Sequence, residues 1–223
     1  MEFGDIGLSA ADTAQVDVPV QYDVLPDGTP SVMYGDVNGY AEYNHQQGDN
    51  PYGFQEDCGL VSSSDVLNQF GIPTTEGDVV EHAAANGECT IDYSDLSNSG
   101  GTSPSDQAKI LGDYGVPSHA ETGQSMEGLA TQVEQGHGVI AEVNAGYLWG
   151  DSTYVQNGYP NHAITVTGVA RDPSTGQIQG FYINDSGTGQ SAEFVPAATM
   201  QQAWASTGGA AVVTDAVHTQ AQE

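Results

Sequence analysis

At 223 residues and 38% apolar content, the chain can bury one ordinary core, or one core with an appended arm. Thirty Asp and Glu stand against two basic residues, Lys109 and Arg171, for a net charge of −28. Two cations cannot build a basic patch, which excludes nucleic-acid binding and disfavours anionic membrane surfaces. Two cysteines cannot make a disulfide scaffold, and no run approaches the roughly 20 apolar residues of a membrane span. The ordinary reading of the acidity is a solvated, self-repelling surface that keeps the protein soluble. Adaptation to high salt, a basic target, or protection from lysine modification are sharper readings of the same charge.

Residues 1 to about 40 have no helical periodicity and read as an extended N-terminal arm or lead-in. Within them Val16-Asp17-Val18-Pro19-Val20-Gln21-Tyr22 alternates as a strand would, and Pro19 points to an edge. Pro26-Asp27-Gly28 is a turn signal. A helix is expected from Cys58 to Phe70, with Val61, Val66, Leu67 and Phe70 inward and Gly71 as its stop. Thr75 caps a second, which carries Val79, Val80 and Ala83 and stops at Gly87. Ser103-Pro104 opens a third, with Ala108, Ile110 and Leu111, and Ser125 caps a fourth, with Met126, Leu129, Ala130 and Val133.

The pattern then changes to strands, at Gly138–Asn144, His162–Ala170, Gln177–Asp185 and Ala210–Thr214. Helices first and antiparallel strands later predict an α+β domain over residues 41–215, with an active-site cleft between a helical half and a sheet half. His218 to Glu223 read as a frayed tail.

Cys58 follows an acidic turn and opens a helix. There the unpaired N–H groups and the positive end of the helix dipole favour thiolate. His162 opens one strand pattern and Asp185 ends the next. A thiol hydrolase needs a nucleophile, a base, an orienter for the base and donors for an oxyanion. Cys58, His162 and Asp185 supply the first three in the chain order of a papain-type cysteine hydrolase. The Cys58 N–H is one oxyanion donor, and Gln46, Gln47 or Gln55 is the second. Each residue alone has a structural reading: a buried small hydrophobe, a structural histidine, a strand-end turn residue. Their occurrence in order favours catalysis.

Cys89 follows a helix stop, has no dipole advantage and reads as structural; a Cys58–Cys89 bridge would silence the nucleophile. His82 lies on a helix beside acidic neighbours, His137 in a turn, and His119 and His218 have no partner pattern. Asp49-Asn50, Asp95 and Asp113 lack the spacing of a calcium loop, and Gly100-Gly101-Thr102 lacks the lysine of a phosphate loop. No metal and no cofactor is expected.

Six pieces occur in order: His45-Gln46-Gln47, Asp57-Cys58-Gly59-Leu60-Val61-Ser62-Ser63, Gly101-Thr102-Ser103-Pro104, Gly138-Val139-Ile140 with Tyr147-Leu148-Trp149, Asn161-His162-Ala163-Ile164-Thr165-Val166-Thr167-Gly168, and Asn184-Asp185-Ser186-Gly187. In them the chain, from about His45 to Thr214, resembles the papain-fold cysteine peptidases related to the bacteriocin-processing, double-glycine leader peptidases, as a stand-alone bacterial domain. The resemblance implies Cys58 as nucleophile, His162 as base, Asp185 as orienter and Gln47 as oxyanion glutamine, with Gly48 to Gln55 inserted and looped out. It also implies a preference for glycine before the scissile bond and the role of a secreted or injected effector or toxin.

The expected function is hydrolysis of peptide bonds in a protein or peptide substrate through a thioester. The same three residues could serve a glutamine deamidase or transglutaminase, and a third reading is an inert acidic binding module. A cognate inhibitor or immunity protein is a further expected partner. Met1–Asp5 has neither the basic start nor the apolar core of a signal peptide. Delivery outside the producing cell is therefore expected by a route without a cleavable signal, with cytoplasmic residence as the alternative.

Overall fold

The computed structural model describes residues 18–218. Eight strands form one antiparallel sheet: β1 (Val20–Val24), β2 (Pro30–Tyr34), β3 (Ser118–Glu121), β4 (His137–Val143), β5 (His162–Arg171), β6 (Ile178–Asp185), β7 (Gln190–Pro196) and β8 (Ala211–Val217). Strand β5 is the hub. Along one edge it pairs with β6, which pairs in turn with β7. Along the other edge β4 takes its first residues and β2 its last. From β4 the sheet continues through β8 to β3, and from β2 to β1 at the edge. The helices are α1 (Val37–Tyr40), α2 (Cys58–Gln69), α3 (Glu76–Asn86), α4 (Pro104–Asp113), α5 (Met126–Glu134), α6 (Ala145–Trp149) and α7 (Ala197–Ala203).

The period-two alternation of the central strands separates two cores. Val139, Ala141 and Val143 of β4 face one side with Ile164, Val166, Phe181, Leu129 and Met200, so α5 and α7 cover that face. Ile140, Ala163 and Val212 face the other side with Leu60, Val66, Leu67, Val79 and Ile110, so α2, α3 and α4 cover it. The helix-capping signals act locally. Thr75 and Ser103 each accept from the backbone N–H three residues on, and the Asp there answers back to the cap. Gly87 sits at φ 70°, where a β-carbon is disfavoured. The result is an α+β, papain-like arrangement.

The strand expected at Val16–Tyr22 is found at Val20–Val24; Val16 and Asp17 lie outside the described residues. It forms a hairpin with β2, and β2 pairs with β5, so residues 20–34 belong to the main sheet. His218 is not part of a frayed tail. Its N–H donates to the Gly136 carbonyl at 2.9 Å, its ring lies 2.9 Å from the Tyr40 hydroxyl, and Phe70 packs against it. Residues 219–223 lie outside the description. His137 is not in a turn: it opens β4 with Nδ1 2.6 Å from the Thr214 carbonyl. His119, expected to be unpartnered, lies 2.6 Å from Asp215 and 2.9 Å from Glu121. No described helix is long and apolar enough to cross a membrane.

Each of the two cations joins separate elements. Lys109 of α4 meets Glu88 and Asp113, and Arg171 of β5 meets Glu127 and Glu134 of α5. The remaining acidic charge is unbalanced, so screening should stabilise the fold. Thermal unfolding should move to higher temperature as sodium chloride is raised from about 0.05 M to 1 M; a flat or falling midpoint would show that self-repulsion is unimportant. Phe181→Ala, in the centre of the α5/α7 core, should cost about 3–5 kcal/mol by urea unfolding, and a loss below about 1 kcal/mol would mean that the site collapses freely.

Candidate active site

Cys58 is the first residue of α2, behind the N-cap Asp57, and is half-buried. Helix α2 is apolar on the face that meets β4 and β5, which fixes its N-terminus at the sheet end where β5 begins. His162 opens β5 and Asp185 closes β6. The pairing of these strands, with Thr165 opposite Asn184, brings the start of one beside the end of the other. His162 Nε2 lies 2.7 Å from Asp185 Oδ1, and the two residues are 5% and 0% exposed. Cys58 acts on the imidazole electrostatically and lines the same cleft. The three residues singled out in the sequence therefore meet at one place.

Burial alone would hold the imidazole neutral. The hydrogen bond to Asp185 and the electrostatic effect of Cys58 outweigh it, and His162 is pushed up to about 10. Burial would likewise raise Asp185, yet three donors keep its carboxyl below the usual range. These are His162, the Trp149 indole N–H at 2.7 Å and the Gly187 N–H at 2.8 Å. Trp149, from α6, also lies against the imidazole, with ring centroids 5.3 Å apart. It orients both the base and its carboxylate. The sequence offered Tyr147-Leu148-Trp149 only as part of a resemblance; no spacing rule links α6 to the end of β6.

A cleft of about 480 Å³ opens over Cys58 and His162. Gln46, Gln47 and Gln55 all line it, opposite Trp149 and Tyr154. Gln47 is held by its backbone N–H to the Ser186 carbonyl at 2.9 Å and by its side-chain amide to the Gln55 carbonyl at 2.5 Å. The segment 48–55 between them is folded back. Asn50 Oδ1 accepts from the N–H groups of Tyr52 and Phe54, and Phe54 is buried. The N–H groups of Gly48 and Asp49 and the side chains of Asn50 and His45 all converge on the buried Glu76.

The acidic turn before Cys58 is not a solvent-facing cap. The Asp57 side chain makes no capping bond and is fully buried. Burial, and a hydrogen bond to Glu76, push its carboxyl well up from the usual range. Burial opposes the charge on Glu76, but hydrogen bonds from His45, Asp57 and Asn50 hold it down. Burial and the Glu76 bond both work against a full negative charge on Asp57 at the helix end that carries Cys58.

The second cysteine stays apart. Cys89 is unbridged, and burial pushes its thiol up to about 11. Among the described residues one group has the donor set of a metal site, His82, Glu88 and Asp113, with ligand atoms within 4.8 Å of one another. Lys109 already pairs with both of its carboxylates, so the chain provides its own cation there.

The comparisons with known proteins bear on the family and the fold. Residues 35–212 match the model of the Peptidase_C39 like family. Uncharacterised proteins of Mycobacterium bovis and Mycobacterium tuberculosis are 32% identical over 203 residues, covering 80% of this chain and 83% of theirs. A crystal structure assigned to the C39-like peptidases, from Bacillus anthracis, superposes with a TM-score of 0.51 at 17% identity, over 78% of this chain and 98% of that one. That likeness is one of fold, and family and fold together suggest a cysteine peptidase. The chain belongs to the Peptidase_C39 like family.

Proposed function

We propose that the protein hydrolyses peptide bonds through a thioester on Cys58. The observation that carries this reading is the buried His162, hydrogen-bonded to Asp185 and lining one open cleft with Cys58. His162 takes the thiol proton, and the sulfur attacks the scissile carbonyl carbon. The carbonyl oxygen becomes an oxyanion, facing the Cys58 N–H, which has no intrahelical acceptor, and the second amide hydrogen of Gln47. On collapse the carbon–nitrogen bond breaks and His162 passes its proton to the leaving amine. Water, deprotonated by His162, then attacks the thioester and releases the carboxylic acid and the thiol. Asp185 and Trp149 hold the imidazole at the required angle and stabilise its charged form.

Cys58→Ala should abolish turnover of a peptide library while leaving the thermal midpoint close to that of the wild type. Undiminished cleavage by that variant would remove Cys58 from the reaction. Deamidation of glutamine by the same residues would appear as a gain of about one dalton without a chain break.

The pH dependence follows from His162. Its pKa is raised, so the imidazolium needed to protonate the leaving amine persists through neutral pH and is lost only as pH climbs towards about 10. The rate should hold through neutral pH and fall on the alkaline side. Asp185→Asn removes the counter-charge and should move that fall to lower pH, on the order of one to three pH units. An alkaline limb at the same pH in both proteins would separate it from the His162–Asp185 pair.

A further inference from the structure

A second cavity, of about 200 Å³, meets the first at Glu56, Cys58, Asn161 and His162. The wall it does not share includes Gly101 and Thr102 from the loop before α4, Gln107 of α4, and Glu142 of β4. Trp149, Gly187 and Tyr154, which surround the Asp185 side of the imidazole, belong to the larger cleft alone. With the leaving amine placed in that cleft, the smaller cavity falls to the acyl side of the substrate.

Glu142 is out of place by the logic of its strand. It shares the parity of Ile140, whose side chain lies in the core beneath α2, and it stands opposite Ala163. A sheet with helices on both faces asks for an apolar residue there. Instead Glu142 Oε1 accepts from Gln107 Nε2 at 2.7 Å, and that amide also meets Thr102 Oγ1 at 3.2 Å. Gln107 is fully buried and its own Oε1 has no hydrogen-bond partner. Neither cation of the chain reaches Glu142, since Lys109 and Arg171 are held by other carboxylates. Glu56, Cys58 and His162 are the other titratable groups of the cavity, and His162 is the one positive charge that acts on Glu142. A half-buried carboxylate with one amide donor is under-compensated, and desolvation pushes it up to about 7. A cavity beside the reactive sulfur therefore carries an acidic group that no cation of the described residues pairs with directly.

We propose that this cavity binds the side chain of a lysine or arginine on the acyl side of the scissile bond, with Glu142 as its counter-ion. This rests on the reading of Cys58 as nucleophile and names the class of substrate it acts on. The net charge of −28 works in the same direction, because it concentrates cationic peptides around the protein. Lysine on the substrate would supply what Glu142 and the Gln107 amide oxygen lack.

The test uses the full chain and a panel of tripeptidyl acyloxymethyl ketones that alkylate a reactive thiol. The panel differs only by Lys, Arg, Gln, Leu or Glu at each position before the ketone. The rate of Cys58 alkylation is read by intact mass and peptide mapping. At one position Lys or Arg should outpace Gln by roughly 30-fold, the factor expected for one desolvated charge pair. In Glu142→Gln that ratio should fall towards one, while Glu142→Asp should keep a preference for the basic probe. The ratio is taken within one protein, so partial misfolding of a variant does not alter it. Equal rates across the panel in the wild type, or an unchanged ratio in Glu142→Gln, would overturn the assignment of the cavity and leave Cys58 as nucleophile. Failure of every probe to modify Cys58, or preferential modification of Cys89, would overturn the reading of Cys58 and this proposal with it.

Discussion

The antiparallel pairing of β5 with β6 is the constraint on which the site depends. It sets Thr165 opposite Asn184 and so brings the first residue of one strand against the last residue of the other. A slip of one residue would send His162 or Asp185 to the opposite face of the sheet. The register is held from both layers. Phe181 and Ile183 fill the core under α5 and α7. On the other face Asn184 donates to the Tyr40 carbonyl at 2.9 Å and to Asp65 at 3.2 Å. Asp65 lies on α2, two turns beyond Cys58. One buried asparagine thus ties the helix that presents the thiol to the strand that presents the carboxylate.

Electrostatics near the thiol run against the character of the whole chain. The molecule is strongly anionic, yet burial and Glu76 push the carboxyl nearest the start of α2 towards its neutral form. Glu76 holds the charge of that pair and spends it on the loop that carries Gln46 and Gln47, through His45 and the backbone of Gly48 and Asp49. The loop is long, but it is anchored at a single acceptor, which lets residues 48–57 pass between Gln47 and Cys58 without freeing the glutamine from the cleft. Asp185 is the charged carboxylate in direct contact with the imidazole, and each of its oxygens has a donor.

Much of this could be read from the chain before its fold. Cys58, His162 and Asp185 were legible because each stands at the end of a segment with its own periodicity, and ends of segments meet at clefts. Helices α3, α4 and α5 were legible through Thr75, Ser103 and Ser125, whose hydroxyls cap locally. What escaped was set by long-range contact or by weak patterning. Strand β7 has no clean alternation, because most of its residues are half-buried on both sides. Strand β3 is polar and at the sheet edge. Trp149 reaches Asp185 across 36 residues and His218 reaches Tyr40 across 178, distances at which no local rule operates. Asp57 was visible as an acidic residue before the helix, but its protonation depends on Glu76 from another helix.

The placement of the two cations has a practical side. Trypsin cuts only after lysine and arginine, and here it would find Lys109 inside α4 and Arg171 at the end of β5, each pinned to carboxylates of another segment. The Lys109–Ile110 bond lies inside α4, whereas the Arg171–Asp172 bond lies where β5 gives way to the turn at 173–175. Cleavage then reports opening of α4 or of the β5 end, and the two resulting cuts would distinguish loosening of the helical layer from fraying of the sheet.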